Sequence, residues 1–124
     1  MSKPSILVVD DELLIRDLLY DFFTGQGWDI AVAENGDKAL EMTRARKFDL
    51  VLTDVKMPEM DGLALTGHIR QSFPKMPIVI MTGFPSVDSA VAALRSKVDD
   101  YVIKPFNINQ LYKVLEAKIK ENRA

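Results

Sequence analysis

The sequence predicts an α/β fold in which a parallel sheet is covered by helices on both faces. Short apolar runs alternate with stretches of helical spacing five times along the chain. Several of these runs carry no polar residue, which is typical of strands buried on both faces. Strand–helix alternation gives a parallel sheet, because crossovers are right-handed and each helix must cover the sheet. The length of 124 residues suits one core, so we expect residues 1–124 to form a single domain.

The composition excludes several classes of function. Apolar residues make up 48% of the chain, so it should fold. The 16 basic and 18 acidic side chains leave a net charge of -2, and no basic stripe suggests a nucleic-acid surface. The absence of Cys excludes disulfides, thiolate metal sites and Cys nucleophiles. No apolar run approaches the roughly 20 residues of a membrane span, and no secretory signal precedes the first strand, so we expect a cytoplasmic protein without membrane contact.

The first strand and helix are predicted from Ile6–Val9 and from the stretch between Glu12 and about Gly25. Asp10 or Asp11 could cap that helix at its start. Two sets of apolar residues recur at helical spacing and are expected to face the core together. They are Leu14, Leu18 and Phe22, widened by Ile15, Leu19 and Phe23.

The second strand, residues 28–33, alternates weakly and is expected at an edge of the sheet. Asn35-Gly36 opens the next helix, whose inner face carries Ala39, Leu40 and Thr43. The third strand, Leu50–Leu52, is wholly apolar and stops at Asp54. A carboxylate therefore stands where a central strand gives way to a loop.

The remaining elements continue the alternation of strand and helix. Asp61-Gly62 starts a third helix that Pro74 ends, and the fourth strand, residues 77–81, ends at Thr82-Gly83. Ser86 is expected to cap the fourth helix. The inward residues of that helix are predicted to be Val87, Ala90, Val91 and Leu94.

The fifth strand, residues 99–103, ends at Lys104-Pro105, and Asn107 or Asn109 caps the last helix. The inward residues of that helix are predicted to be Leu111, Leu115 and Ile119. The five units fit the flavodoxin-like order 2-1-3-4-5, which places the first and third strands side by side and the weak second strand at an edge.

The carboxyl ends of parallel strands share one edge of the sheet, so the topology should collect Asp10, Asp11, Asp54, Thr82 and Lys104 there. At about 4 Å and an effective dielectric near 20, two carboxylates repel by about 4 kcal/mol. Either one of them is protonated or a cation sits among them. Because the ligands on offer are hard oxygens, that cation would be Mg²⁺, with Mn²⁺ as the alternative.

A divalent cation beside an amine and a hydroxyl suits a phosphoryl group. Lys104 would neutralise its oxygens together with the metal, Thr82 would donate a hydrogen bond, and Asp54 would attack phosphorus.

Five segments, in order, resemble the receiver domain of bacterial two-component response regulators (CheY-like). They are Asp10-Asp11-Glu12; Asp54 with Met57-Pro58; Asp61-Gly62; Thr82-Gly83; and Tyr101 to Phe106. The resemblance implies that Asp54 accepts a phosphoryl group from the phosphohistidine of a sensor histidine kinase, giving 4-aspartylphosphate. It implies that Mg²⁺ is held by Asp11, Asp54 and the backbone carbonyl of Lys56, with Asp10 helping directly or through water. It also implies that Lys104 pairs with the phosphoryl oxygens and that Lys104-Pro105 is a cis peptide.

The resemblance implies a switch as well. Thr82 would move toward the phosphoryl group and Tyr101 would turn into the space it leaves. The face formed by the fourth helix, fifth strand and fifth helix would then change its preference for partners. Such partners are a downstream effector domain or protein, or a second copy of the chain in a homodimer. The output is therefore binding, and self-catalysed phosphoryl transfer with slow autodephosphorylation is the limit of its enzymatic chemistry.

Two further positions bear on the chemistry of the site, and a third bears only on a nearby loop. Lys56 and Phe84 follow Asp54 and Thr82 by two residues each and are expected to tune the rate, with Phe84 shielding the phosphoryl group from water. Lys97 stands where a helix would usually be followed by Gly, which leaves the geometry of that loop open.

Three alternatives compete with a phosphoacceptor module. A metal-dependent phosphatase on a related α/β fold would want a second carboxylate two residues after the nucleophile, where this chain has Lys56. A flavin or nucleotide binder would need a phosphate loop after the first strand, where Asp10-Asp11-Glu12 would repel phosphate. A domain used only for protein contact would not need the complete acceptor set.

Overall fold

In the computed structural model, residues 3–83 and 86–123 are described, and they form one five-stranded parallel sheet. The strand order is β2-β1-β3-β4-β5, as the sequence predicts. The strands are β1 (Ser5–Val9), β2 (Asp29–Ala33), β3 (Leu50–Asp54), β4 (Ile78–Thr82) and β5 (Asp100–Ile103). β3 and β4 are buried along their whole length, whereas the edge strand β2 is only partly covered.

The five helices alternate with the strands along the chain. They are α1 (Leu13–Gly25), α2 (Gly36–Ala45), α3 (Gly62–Ser72), α4 (Val87–Arg95) and α5 (Ile108–Arg123). None of the helices in the described part of the chain is long and apolar enough to cross a membrane.

The core consists of two apolar layers, one on each face of the sheet. Alternate residues of β1 point to opposite faces, so Ile6 and Val8 enter one layer while Leu7 and Val9 enter the other. α1 and α5 close the first layer, and α2, α3 and α4 close the second. The predicted inner stripe of α5 is confirmed, since Leu111, Leu115 and Ile119 are all buried.

The predicted inner face of α1 is wrong in part. Leu19 and Phe23 are buried, but Leu14 is 81% exposed and Leu18 is 49% exposed. The two apolar sets are one residue apart, which corresponds to a rotation of about 100° around the helix. Periodicity shows that both sets form stripes, but it does not show which stripe meets the sheet.

The inner face of α4 also differs from the prediction. Leu94 is 77% exposed and Val91 is exposed as well, while Ala93 is buried. Ala93 is the residue of α4 that joins the second core layer, and the larger apolar residues are left outside. The side chain of Val87 lies outside the described part of the chain.

Within the part of the chain that the structure describes, side-chain caps are seen at the starts of α2, α3 and α5. The carboxamide of Asn35 accepts the Lys38 N–H at 2.8 Å, and the carboxylate of Asp61 accepts the Ala64 N–H at 2.7 Å. Of the two predicted caps of α5, Asn107 is the one observed: its side chain accepts the N–H groups of residues 109 and 110.

α1 begins differently. Its N-cap residue is Glu12, which makes no side-chain capping bond. Asp10 instead accepts the N–H of Glu12 at 2.9 Å, two residues along the chain. Neither Asp10 nor Asp11 is the N-cap that the sequence suggested. The carboxylate of Asp10 orders the turn before the helix and stays at the strand end.

The opposite edge of the sheet, where the strands begin, is stabilised by aspartate–arginine pairs. Arg46 pairs with Asp29 at 2.7 Å, Arg123 with Asp49 at 2.9 Å, and Arg70 with Asp99 at 3.0 Å. Asp49 and Asp99 also accept backbone N–H groups, those of residues 5 and 78. These contacts satisfy strand-end donors far from the edge that carries the site.

Candidate functional site

Four carboxylates converge at the carboxyl edge of the sheet. β1 and β3 are neighbours with Val9 opposite Thr53, so the next residue of each strand brings Asp10 beside Asp54. Carboxylate oxygens of Asp10, Asp11, Glu12 and Asp54 all lie within 4.8 Å of one another. We call these four residues the acidic cup. The sequence predicted three of them as ligands, and the structure adds Glu12.

The cup has a buried base and an exposed rim. Asp10 is 0% exposed and Asp54 is 6% exposed, whereas Asp11 and Glu12 are exposed. The base is therefore fixed by the protein, and the rim is open to solvent. A ligand can enter from the rim and still meet a desolvated acid at the base.

Asp10 is held at every polar atom. Its N–H donates to the Ala33 carbonyl at 3.1 Å, and its Oδ1 accepts the Glu12 N–H at 2.9 Å. Its Oδ2 accepts from Lys104 Nζ at 2.8 Å, and its carbonyl accepts from Arg16 Nη1 at 2.7 Å. Arg16 is a contact that the sequence analysis missed, because no motif or helical spacing links it to the strand end.

Lys104 is the cation that the structure places in the cup. Its Nζ lies 2.8 Å from Asp10, 3.3 Å from Asp54 and 3.7 Å from Glu12. Burial by itself would lower the pKa of this amine, but hydrogen bonding to Asp10 and the charges of Asp10 and Asp54 outweigh it, and the pKa is raised. Lys104 therefore stays charged over the physiological range.

The pKa of Asp54 is raised, in the first place by burial and in the second by the negative charge of Asp10. Lys104 opposes this shift by its charge and its hydrogen bond, but does not cancel it. A further positive charge beside Asp54 would lower its pKa in the same way as Lys104 does.

The donor set fits a hard divalent cation. Four carboxylates without His or Cys are the oxygen ligands that Mg²⁺ prefers, and Mg²⁺ commonly retains water at an open rim such as this one.

The backbone behind Asp54 is tightly packed. The Gly62 N–H donates to the Val55 carbonyl at 2.8 Å, and the Thr53 hydroxyl donates to the Asp54 carbonyl at 3.0 Å. A Cβ added at Gly62 would lie 2.2 Å from the Asp54 carbonyl oxygen, closer than any real contact. The start of α3 therefore fixes the peptide from which the Asp54 side chain projects.

The other predicted site residues lie around the cup. Thr82 is buried at the end of β4, and its carbonyl accepts the Lys104 N–H at 2.7 Å. The Lys104-Pro105 peptide is cis. Tyr101 on β5 is partly buried and packs against the second core layer. Lys56 is exposed in the loop after β3. Phe84 lies outside the described residues.

An apolar surface adjoins the cup on the α1 side. A shallow hollow of about 390 Å³ lies between α1 and the loop after β5. It is lined by Glu12, Ile15, Leu18, Gly83, Lys104, Pro105 and Phe106. The exposed Leu18 of α1 therefore shares this hollow with Glu12 and Lys104 of the site, and the exposed Leu14 follows Glu12 by two residues along the chain.

The fold and the site together define a flavodoxin-like α/β domain with an acidic, cation-binding type of centre at the carboxyl edge of its sheet. The family model described as "Response regulator receiver domain" matches residues 6–116. The chain therefore belongs to the response regulator receiver domain family of two-component systems.

Curated relatives agree with this family. The transcriptional regulatory protein ZraR of Salmonella typhimurium is 43% identical over 122 residues, which is 98% of this chain and 28% of that protein. The DNA-binding transcriptional regulator NtrC of Escherichia coli is 38% identical over 119 residues, 96% of this chain and 25% of that protein. The chain thus spans about a quarter of the length of these relatives.

Solved structures agree as well. A CheY-like receiver domain protein from Methanospirillum hungatei superposes with a TM-score of 0.94 at 29% identity, over 98% of both chains. The response regulator TrrA from Thermotoga maritima, in complex with Mg²⁺ and BeF, gives a TM-score of 0.84 at 35% identity, over 93% of this chain and 98% of that one. The metal-dependent phosphatase that the sequence left as an alternative finds no support in these comparisons.

Proposed function

We propose that this receiver domain accepts a phosphoryl group on Asp54 from a phosphohistidine of a sensor histidine kinase. A carboxylate oxygen of Asp54 would attack phosphorus, the bond from phosphorus to the imidazole nitrogen would break, and the imidazole would leave with the electron pair. The product is an aspartyl phosphate. The observation that carries the proposal is the placement of Asp54: nearly buried, in the acidic cup, and 3.3 Å from Lys104 Nζ.

Each neighbour of Asp54 has a role in this proposal. Lys104 would exchange part of its contact with the acids for the incoming phosphoryl oxygens, to which its charge is complementary. Thr82 would donate its hydroxyl to one of those oxygens. Fixing Asp54 and Lys104 in place before the reaction lowers its entropic cost.

Mg²⁺ would be held by Asp11, Asp54 and the Lys56 carbonyl, with Asp10 close by, and Mn²⁺ could replace it. When bound, the metal would supply positive charge against the transferring oxygens. Support comes from the oxygen-only donor set and from the TrrA structure with Mg²⁺ and BeF. Glu12 lies at the same cup and faces the same space.

The phosphodonor must reach an acid at the base of the cup, so it must contact the rim. Leu18 and Phe106 line the apolar hollow next to Glu12 of that rim, and burying this surface against the kinase would favour association. A kinase is therefore the partner that this edge of the molecule fits.

The output is proposed to be a change in binding. Phosphorylation would draw Thr82 toward the phosphoryl group, Tyr101 would move inward, and the face of α4, β5 and α5 would change its partners. Those partners are a downstream effector domain or protein, or a second copy of the chain. Because the longer relatives are named as transcriptional regulators, transcription is the proposed process for the whole protein.

The test uses acetyl phosphate and Mg²⁺ followed by intact-mass measurement. The wild type should gain the mass of one phosphoryl group, and the conservative Asp54→Asn variant should gain none, because the amide is not a nucleophile of this kind. EDTA should abolish the gain. A phosphorylated Asp54→Asn protein, or an unmodified wild type in Mg²⁺, would refute the proposal.

A further inference from the structure

We propose that Arg16 is a positioning residue of the acidic cup: it anchors the turn between β1 and α1 so that Asp11 and Glu12 present their carboxylates to the cation. The proposal rests on the proposed function, because it assigns a further residue to the Mg²⁺ site. The observation is the hydrogen bond from Arg16 Nη1 to the Asp10 carbonyl at 2.7 Å.

The acid side chains of this turn are weakly restrained. Glu12 makes no side-chain capping bond, its ion pair with Lys104 is long at 3.7 Å, and Asp11 and Glu12 are both exposed, so packing does not fix them. The backbone of the turn is anchored through Asp10, by the Glu12 N–H on its Oδ1 and by Arg16 on its carbonyl. Two of the four cup acids therefore depend on this turn for their position.

The anchored atom lies directly beside Asp11. The Asp10 carbonyl and the Asp11 N–H belong to one planar peptide unit, so fixing the carbonyl fixes the plane from which Asp11 continues. The Glu12 N–H is fixed at the other side of Asp11. Asp11 thus lies between two anchored peptide groups, and losing the Arg16 bond would free one of them.

The charge of Arg16 acts in the opposite direction from its hydrogen bond. A positive charge next to the cup repels a divalent cation, so its removal would tighten cation binding if charge were the whole effect. Removal of the anchor would weaken binding, because the ligands must then be ordered when the metal binds. The sign of the change separates the two roles.

The experiment is isothermal titration of the full chain with MgCl₂, for the wild type and for Arg16→Met and Arg16→Lys. We expect Mg²⁺ to bind Arg16→Met about tenfold more weakly than the wild type, as for other residues that orient metal ligands. Arg16→Lys retains a hydrogen-bond donor and the positive charge, so its Mg²⁺ affinity should lie between those of the wild type and Arg16→Met. The control is Arg44→Met, which removes an exposed arginine of α2 and should leave the affinity unchanged.

A second readout is the Mg²⁺ dependence of phosphorylation by acetyl phosphate. Arg16→Met should need more Mg²⁺ for half-maximal rate and approach the wild-type rate at saturation. Urea unfolding in EDTA verifies that each variant is folded at the titration temperature. If Arg16→Met is not folded, the comparison of Arg16→Lys with the wild type provides the test.

Mg²⁺ affinity of Arg16→Met and Arg16→Lys equal to or tighter than that of the wild type would overturn the positioning role. If the wild type itself bound no Mg²⁺ and took no phosphoryl group, the proposed function would fail instead.

Discussion

Gly62 shows how one missing side chain can place a reactive one. It begins α3, and its Cα packs against the backbone carbonyl of Asp54 with no room for a methyl group. The Asp54 carboxylate makes other contacts, but the close packing of Gly62 fixes the Asp54 backbone carbonyl. The geometry of Asp54 therefore depends on a residue that carries no functional group.

Replacing Gly62 with Ala should destabilise the protein by about 1–3 kcal/mol, as expected for overpacking a site that cannot relax freely. It should also slow phosphorylation by acetyl phosphate, because the Asp54 peptide must shift. Urea unfolding and intact mass measure the two effects.

The matched control is Gly67→Ala in the same helix. A Cβ at Gly67 meets nothing within 4 Å. This change should stabilise the protein by up to about 1 kcal/mol through helix propensity and leave phosphorylation unchanged. If both alanines had the same effect, the close approach at Gly62 would not matter.

The turn that follows α4 has a strained backbone. Lys97 adopts a left-handed backbone with φ of +61°, the conformation that glycine takes most easily. Its N–H donates to the Leu94 carbonyl, and its own carbonyl accepts from Arg70 at 2.9 Å. The tertiary contacts therefore impose a conformation that the lysine side chain disfavours.

We expect Lys97→Gly to raise the free energy of unfolding by about 0.5–1 kcal/mol. Glycine removes the strain of the left-handed backbone, and this gain is partly offset because glycine gives the unfolded chain more conformational freedom. Arg95→Gly, two residues earlier and at the last position of α4, should lower it by up to about 1 kcal/mol. Chemical denaturation of both variants measures the two changes. A loss of stability in Lys97→Gly would contradict the interpretation that the backbone of Lys97 is strained.

The elements also show what the sequence could determine. Wholly apolar runs such as Leu50–Leu52 predict buried central strands, because exposing any of their side chains to water is unfavourable. α1 is apolar over a wide arc, so its sequence could not choose between the stripe with Leu14 and the stripe with Leu19. That choice depends on how the helix axis lies on the sheet, which is a tertiary property.

For the whole molecule, topology explains why the cup residues could be predicted. Parallel strands end at one edge, so residues as distant in sequence as Asp10 and Lys104 had to be neighbours. The contact of Arg16 could not be predicted, because it is made with a backbone carbonyl, which carries no sequence signal. Glu12 was visible in the sequence, but only the turn geometry brings it into the cup.

The stability of the whole fold should depend on pH through Asp54. Its pKa is raised on folding, so the folded state binds the proton more readily than the unfolded state. The associated stability is full below the pKa of the unfolded carboxyl and is lost as the pH rises through the folded value. Lys104, whose pKa is also raised, stays charged throughout.

In EDTA, Asp54→Asn should therefore be more stable than the wild type at pH 7, and its advantage should shrink toward pH 4. Unfolding midpoints of both proteins, measured between pH 4 and pH 7, give this difference in stability. The control is Asp21→Asn, at an exposed position of α1, which should show no such trend. An advantage that does not change with pH would exclude ionisation of Asp54 as the cause.

The position of Trp28 has a practical consequence. It is the single tryptophan of the chain, nearly buried, with its ring 4.9 Å from that of Phe23 and 5.0 Å from that of Tyr112. It precedes β2, whose far end meets Asp10, so about 16 Å of strand separates the indole from the cup. Its fluorescence should report loss of the folded core, which gives the protein a built-in optical probe of unfolding.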